Sequence, residues 1–128
     1  MKIGNIKLST FKTFIIAEIG NNHNGSFERA IKMIDLASEM NADCVKFQLF
    51  DTDEFINRDY KHKKIKYNHI FKRFKSLEFS VNQWKKLIKY GNKKGVKIFF
   101  SVFNLVTFST FSCFFIGGVY FLIKGNRT

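Results

Sequence analysis

Proline is absent from the chain and cysteine is scarce. The two cysteines, Cys44 in a predicted buried strand and Cys113 in an apolar tail, are too few for a disulfide framework. Their number excludes the class of small secreted domains that disulfides hold together. A secretory signal is not predicted either, because residues 1–13 alternate charges with short apolar stretches. We therefore expect a reducing, cytoplasmic location.

Acidic side chains are nearly missing from the second half of the chain. Residues 61–128 carry 15 basic and 1 acidic side chains, whereas residues 1–60 carry 7 basic and 9 acidic ones, and the net charge is +12. A basic half can attract an anionic partner such as nucleic acid or a lipid surface. Seventeen Phe and no Pro also fit an AT-rich gene, and we favour that explanation. Since no groove-reading helix or RNA-binding aromatic signature is present, a nucleic-acid partner is not expected.

The most informative stretch is FIIAEIGNNHNG, residues 14–25. Its uninterrupted apolar run at residues 14–17 predicts a strand buried on both faces, as in a parallel sheet. Glu18 would then lie at the carboxyl end of the strand, where α/β folds bind ligands. A polar turn follows, with the side chains of Asn21, Asn22, His23 and Asn24. Such a turn needs no function by itself, because Asn and Gly are common at strand-to-helix junctions.

A second segment favours a site at the same edge. Residues 26–40 have helical spacing after Ser26 as N-cap, and Asn41 suits a left-handed helix cap. The next apolar run, residues 44–48, delivers Lys46 and Gln48. This strand, helix, strand order predicts a right-handed βαβ unit, which would bring Lys46 and Gln48 beside Glu18.

Together, AEIGNNHNG at residues 17–25 and ADCVKFQ at residues 42–48 resemble the sialic acid synthase family, which condenses phosphoenolpyruvate with an N-acetylated amino sugar. The resemblance implies a (β/α)8 TIM barrel, which typically needs about 250 residues. It continues more loosely to about Ser101. We therefore predict an α/β fold, an N-terminal barrel fragment of about three βα units at residues 1–101, and a separate tail at residues 102–128.

The resemblance also implies roles for the motif residues. Lys46 would contact phosphoenolpyruvate, Glu18 would be the catalytic carboxylate that contacts the amino sugar, and Gln48 would hydrogen-bond the same sugar. The motif loop would shape the rim as further substrate-binding residues, namely Asn22, His23 and Asn24.

Part of the family's site is expected to be missing. The family uses a divalent metal, Mn or Mg, held by histidines of later strands, so we predict that the metal ligands are absent from this chain and that His23 binds no metal. Val102 replaces a family threonine that helps to bind phosphoenolpyruvate. An incomplete site and an inactive, unstable fragment follow from the resemblance.

Other elements are predicted around these motifs. Residues 1–13 could form a lead-in hairpin across residues 4–5, and residues 48–67 form a long, solvated loop. Ser80 and Gln83 predict a capping box for a helix that ends near Gly91 or Gly95 and buries Trp84. Residues 96–101 form a third parallel strand.

The tail has several interpretations. Residues 98–123 contain 26 consecutive residues without a charge, and a membrane-spanning helix needs about 20. An anchor would leave residues 1–97 in the cytoplasm and would make the chain a membrane-anchored module with a basic surface for anionic partners. Barrel interior and missense sequence after a frameshift are the other two interpretations. We favour the frameshift, with the anchor second.

Overall fold

The computed structural model describes residues 2–3, 6–7, 13–56, 67–103 and 120–123. The strands are β1 (Lys2–Ile3), β2 (Ile6–Lys7), β3 (Ile16–Gly20), β4 (Cys44–Leu49), β5 (Lys97–Val102) and β6 (Tyr120–Ile123). The helices are α1 (Phe27–Glu39), α2 (Thr52–Phe55), α3 (Tyr67–Lys75) and α4 (Val81–Lys93).

A parallel sheet in the order β3-β4-β5-β6 organises the fold. Strands β4 and β5 pair without interruption from Cys44↔Lys97 to Leu49↔Val102. Helix α1 joins β3 to β4, which confirms the predicted strand, helix, strand order. The lead-in hairpin is also confirmed, because β1 pairs antiparallel with β2.

The core lies between one face of the sheet and two helices. Alternate residues of β4 and β5 face the helices, because side chains of a strand point to opposite sides in turn. Burying these apolar side chains is the main stabilising term of the fold. The core includes Ala30, Ile34, Val45, Phe47, Leu49, Trp84, Leu87, Ile98, Phe100 and Val102. The opposite face carries the other alternate residues, among them Lys46 and Gln48.

Capping residues fix the two long helices as predicted. Ser26 accepts a hydrogen bond from the Arg29 backbone N–H at 3.2 Å at the start of α1. Ser80 and Gln83 form a complete capping box at the start of α4. Helix α4 does not end at Gly91 but continues to Lys93. A Cβ at Gly91 would lie 2.8 Å from Ile98 Cδ1, so this glycine lets α4 approach β5 closely.

The first parallel strand differs from the prediction. Residues 14–17 are not buried on both faces, because Ile15 and Ile16 are 50% and 43% exposed. Among the described strands β3 lies at the edge of the sheet and pairs only with β4, so its early residues lack neighbours on one side. Regular pairing runs from Ile16 through Glu18. Glu18 therefore lies within the strand and not at its carboxyl end.

One short helix lies within the predicted long loop, and a second helix begins at the end of the loop. After β4 ends at Leu49, α2 forms one turn, and α3 begins at Tyr67. The rings of Phe55 in α2 and Phe74 in α3 form a cluster with those of Phe50 and Phe103, which directly follow β4 and β5. Neighbouring ring centroids in this cluster are 5.2–5.6 Å apart. The predicted loop also contains four lysines that lie outside the described residues, namely Lys61, Lys63, Lys64 and Lys66.

The apolar tail is not a single membrane-spanning segment. Residues 98–102 belong to β5, and β6 extends the sheet in parallel pairing with it, from Phe99↔Tyr120 to Val102↔Ile123. None of the helices in the described ranges is long and apolar enough to cross a membrane. The charge-free sequence is thus explained in part by β5, which is a buried parallel strand. Residues 104–119 and 124–128 lie outside the described residues, so the frameshift interpretation stays a prediction.

Candidate functional site

The centre of the candidate site is an ion pair between neighbouring strands. Glu18 and Lys46 are direct register partners on β3 and β4, and Lys46 Nζ contacts Glu18 Oε2. The Glu18 side chain is 53% exposed and that of Lys46 is 25% exposed. A lysine ammonium has three N–H donors, so pairing with one carboxylate oxygen leaves it able to bind an anion as well.

Gln48 extends the site along the same strand. It lies two residues after Lys46, and residues two apart on a strand share a face. Its side-chain Oε1 accepts a hydrogen bond from Asn21 Nδ2 at 2.6 Å, across 27 residues of sequence. The predicted association of carboxylate, cation and amide is therefore present on one face of the sheet.

Gly20 lies close to the polar ends of the Glu18 and Gln48 side chains. A Cβ at this position would be 3.6 Å from Glu18 Oε1 and 3.7 Å from Gln48 Nε2. The pairing register shifts between Glu18 and Gly20, and Gly20 has a φ of +54°. Such an irregularity bends a strand and redirects its side chains. Here it takes the chain from β3 into the turn that carries Asn21.

Neither Gly20 nor Asn21 is among the site residues predicted from the sequence. A glycine directly after an apolar strand signals an irregularity, and that signal could have identified Gly20. Asn21 carries no comparable signal, because the turn contains three asparagines and only the folded backbone decides which of them reaches Gln48.

His23 does not reach this face, which corrects its prediction as a substrate-binding residue. Its side chain is fully buried among three aromatic rings, with centroids 4.4 Å away for Phe79, 6.0 Å for Phe47 and 6.4 Å for Trp84. These rings belong to the core between sheet and helices. The turn directs the imidazole inward, where it has no access to a ligand on the opposite face.

Burial also sets the protonation of this histidine. The apolar surroundings disfavour the imidazolium and lower the pKa of His23 from 6.5 to about 4. Its Nδ1 accepts a hydrogen bond from the Gly25 backbone N–H at 3.1 Å. Within the described residues, Nε2 is buried without a hydrogen-bond partner. A neutral ring that orders its own turn is a structural role.

The rest of the turn consists of Asn22, Asn24 and Gly25. Asn22 and Asn24 are exposed, and Asn24 has a φ of 49°. Gly25 has a positive φ as well, at +73°. A Cβ at Gly25 would overlap the Ser76 carbonyl oxygen and would lie 3.2 Å from its carbon. The glycine therefore allows the segment after α3 to pack against the turn.

Cys44, on the face that carries Lys46, is a free, buried thiol. Burial, assisted by the nearby Asp43 carboxylate, raises the pKa of Cys44 from 9.0 to about 11. A thiol that stays protonated at pH 7 is a poor nucleophile. We assign it to packing.

A metal centre does not form within the part of the chain that the structure describes. In residues 13–56 and 67–103, no three His, Cys, Asp or Glu side chains lie together in a way that could hold a metal ion. These residues do not fit the divalent metal that the resemblance implies. Whether the rest of the chain lacks ligands stays a prediction.

The family comparison covers most of the chain. The model of the NeuB family matches residues 33–114. The match includes residues 102–114, so the expectation that the resemblance stops at about Ser101 was wrong. Val102 is buried in β5 and pairs with Leu49, so the strand continues past Ser101. The division of the chain into a barrel part and a separate tail between residues 101 and 102 stays a prediction.

Several curated relatives are similar over about two thirds of the chain or more. The human N-acetylneuraminate-9-phosphate synthase is 38% identical over 88 residues, covering 65% of this chain and 24% of the relative. The spore coat polysaccharide biosynthesis protein SpsE of Bacillus subtilis is 41% identical over 86 residues, covering 65% and 23%. The N,N'-diacetyllegionaminic acid synthase of Legionella pneumophila is 32% identical over 111 residues, covering 80% and 31%. The matched part thus spans only about a quarter to a third of these relatives' length.

A solved structure shares the fold as well. The N-acetylneuraminic acid synthetase from Leptospira borgpetersenii superposes with a TM-score of 0.72 at 27% identity, covering 88% of this chain and 37% of that one. The spore coat polysaccharide biosynthesis protein of Bacillus subtilis superposes with a TM-score of 0.58 at 32% identity, covering 79% and 26%.

Proposed function

The chain belongs to the NeuB family, and on this premise we propose that its sheet carries the substrate-binding part of a synthase that joins phosphoenolpyruvate to an N-acetylated amino sugar. The names of its relatives include synthases of N-acetylneuraminate 9-phosphate, diacetyllegionaminic acid and pseudaminic acid. A product of the sialic acid class, a nine-carbon sugar acid, is therefore proposed here. The observation that carries the proposal is the grouping of Glu18, Lys46 and Gln48 on one partly exposed face.

The proposed reaction forms a bond between the methylene carbon of phosphoenolpyruvate and the aldehyde carbon of the open-chain sugar. Water adds to the neighbouring carbon, and inorganic phosphate leaves. The protein must hold an anion beside a neutral, polyhydroxylated molecule and must stabilise the charge that moves between them.

Lys46 is the proposed anion contact. Its ammonium is a compact point charge suited to phosphate or carboxylate oxygens. The surroundings support this role, because the side chain is only 25% exposed and a partly desolvated charge attracts an anion more strongly than a charge in bulk water does.

Glu18 and Gln48 are the proposed sugar contacts. The Glu18 carboxylate can accept hydrogen bonds from sugar hydroxyls and can exchange protons with them. The Gln48 amide adds a donor next to it. Because Glu18 also pairs with Lys46, the carboxylate lies at the boundary between the two substrates. Asn22 and Asn24, exposed in the turn above, are proposed to line the rim.

A divalent Mn or Mg ion would polarise the aldehyde when bound. The described residues do not supply its ligands, and we propose that they come from elsewhere in the complete barrel. The 128 residues alone are thus proposed to bind both substrates weakly and to catalyse no condensation. A cytoplasmic location also remains part of this proposal.

Phosphoenolpyruvate binding tests the proposed anion contact. In a titration of the ¹⁵N-labelled 128-residue chain followed by NMR, Lys46→Ala should weaken phosphoenolpyruvate binding by at least about tenfold, because a hydrogen bond to a charged group is lost. Lys32→Ala is the control, since it removes the same charge from an exposed position on α1. Equal losses in both variants would show that only net charge matters and would contradict the proposal.

Turnover tests the proposed incompleteness. With phosphoenolpyruvate, an N-acetylated hexosamine and Mn²⁺, the 128-residue chain should release no phosphate above background. Phosphate release that disappears in Lys46→Ala would overturn the statement that these residues hold only part of the site.

A further inference from the structure

We infer that Asn21 is a positioning residue that sets the orientation of the Gln48 amide, and that it thereby serves the sugar half of the site but not the anion half. This inference rests on the proposed function, because it assigns a task within the same site. It adds a residue that neither the motif roles nor the charge pattern identifies.

The hydrogen bond defines the polarity of the Gln48 side chain. The two ends of a carboxamide are nearly equal in shape, but one accepts hydrogen bonds and the other donates them. Asn21 Nδ2 is a donor 2.6 Å from Gln48 Oε1, so it holds the acceptor end. Gln48 Nε2 is then left as the end that lies next to Gly20, where Glu18 Oε1 also lies. The sheet face thus presents a donor beside an acceptor.

This arrangement suits one substrate and not the other. A sugar offers hydroxyls that can donate to Glu18, together with hydroxyl or carbonyl oxygens that can accept from Gln48 Nε2. An anion has only acceptor oxygens, and its counter-charge on this face is Lys46, which Asn21 does not contact in the described structure. Turning the Gln48 amide over would place two acceptors together at the sugar position and would leave Lys46 unchanged.

The second polar atom of the Asn21 side chain determines what a substitution does to stability. This atom, Oδ1, is buried and has no hydrogen-bond partner within the described residues. A buried carbonyl without a partner lowers stability. Removing the Asn21 side chain therefore relieves this cost, which offsets the loss of its hydrogen bond to Gln48.

The test compares two substrates in one set of variants. The ¹⁵N-labelled chain, Asn21→Ala, Asn21→Asp and the control Asn82→Ala are titrated separately with an N-acetylated hexosamine and with phosphoenolpyruvate, and each variant is melted. Asn82 is exposed on the first turn of α4. Asn21→Ala should weaken hexosamine binding about fivefold, because the Gln48 amide loses its fixed polarity. It should leave phosphoenolpyruvate binding unchanged and should not lower the melting temperature.

Asn21→Asp keeps the shape of the side chain but replaces the donor by an acceptor, so Gln48 must turn its NH₂ end toward it. Hexosamine binding should therefore fall further than in Asn21→Ala. A loss that is equal for both substrates, or no loss for hexosamine, would overturn the inference while the proposed function stands. Failure of the unmodified chain to bind either substrate would overturn the proposed function, and the inference with it.

Discussion

The two faces of the parallel sheet receive side chains from the same turn but give them opposite environments. On one face, Asn21 reaches the partly exposed Gln48. On the other face, two residues later, His23 is fully enclosed by aromatic rings. Both are polar members of one motif, so polarity alone does not distinguish a ligand-facing residue from a core residue. The direction in which the turn points each side chain makes that distinction.

The side of the sheet that packs against the helices should lose more stability on mutation than the opposite side. Gly25→Ala would place a methyl group against the Ser76 carbonyl at a φ of +73°. We expect a loss of more than about 3 kcal/mol in the free energy of unfolding, because a backbone clash adds to a left-handed strain of about 1–2 kcal/mol. Urea denaturation measures this loss.

Gly95→Ala is the matched control for Gly25. Gly95 has a similar φ of +78°, but a Cβ there would meet nothing within 4 Å. Only the strain of about 1–2 kcal/mol should appear. If the two variants lose equal stability, the packing of the turn against Ser76 is not what requires glycine at position 25.

The next largest effect is the pH dependence that His23 confers. Its pKa is about 4 when folded and 6.5 in the reference state, so the unfolded chain binds a proton at a higher pH than the folded chain does. Stability is therefore fully present above pH 6.5 and falls as the pH drops toward 4, by about 2–3 kcal/mol in total. Urea titrations at pH 7.0, 5.5 and 4.5 measure the slope.

His23→Phe separates this contribution from that of the carboxylates, which also titrate at low pH. The variant keeps an aromatic ring in the cluster and has no proton to gain, so its stability should vary less between pH 7.0 and 4.5. Identical pH profiles for the two proteins would contradict the buried, neutral state of His23.

The face that carries Lys46 should show the smallest effect on stability. Lys46→Ala removes a partly exposed ion pair with Glu18, and such pairs contribute about 0–1 kcal/mol. Thermal or urea unfolding should therefore change little, although the same variant is predicted to weaken phosphoenolpyruvate binding. A stability loss comparable to that of Gly25→Ala would show that this face, too, is structural, and the contrast between the two faces would disappear.

The sequence predicts the elements whose signals are local. Helices α1 and α4 have caps and apolar spacing that can be read directly, as Ser26 and the Ser80 capping box show. Strands β4 and β5 are buried in the sheet, and short apolar runs are typical of such strands. The association of Glu18, Lys46 and Gln48 followed because the two strands are parallel neighbours.

Other features depend on tertiary contacts and could not be predicted. The exposure of Ile15 and Ile16 follows from the edge position of β3 among the described strands, which an apolar run does not reveal. Helix α2 is a single turn, too short for a periodic signal. The charge-free run that begins in β5 suggested a membrane segment because a buried strand and a spanning helix share a composition. The inward direction of His23 is set by the turn.

The most direct test of the account is the location of bound substrate. A chemical-shift map of the ¹⁵N-labelled chain with phosphoenolpyruvate and an N-acetylated hexosamine should show its largest changes at residues 18–22 and 46–48. Changes centred instead on the exposed lysines of α4, such as Lys86 and Lys89, would show that the chain binds anions only through its basic surface and would contradict the site.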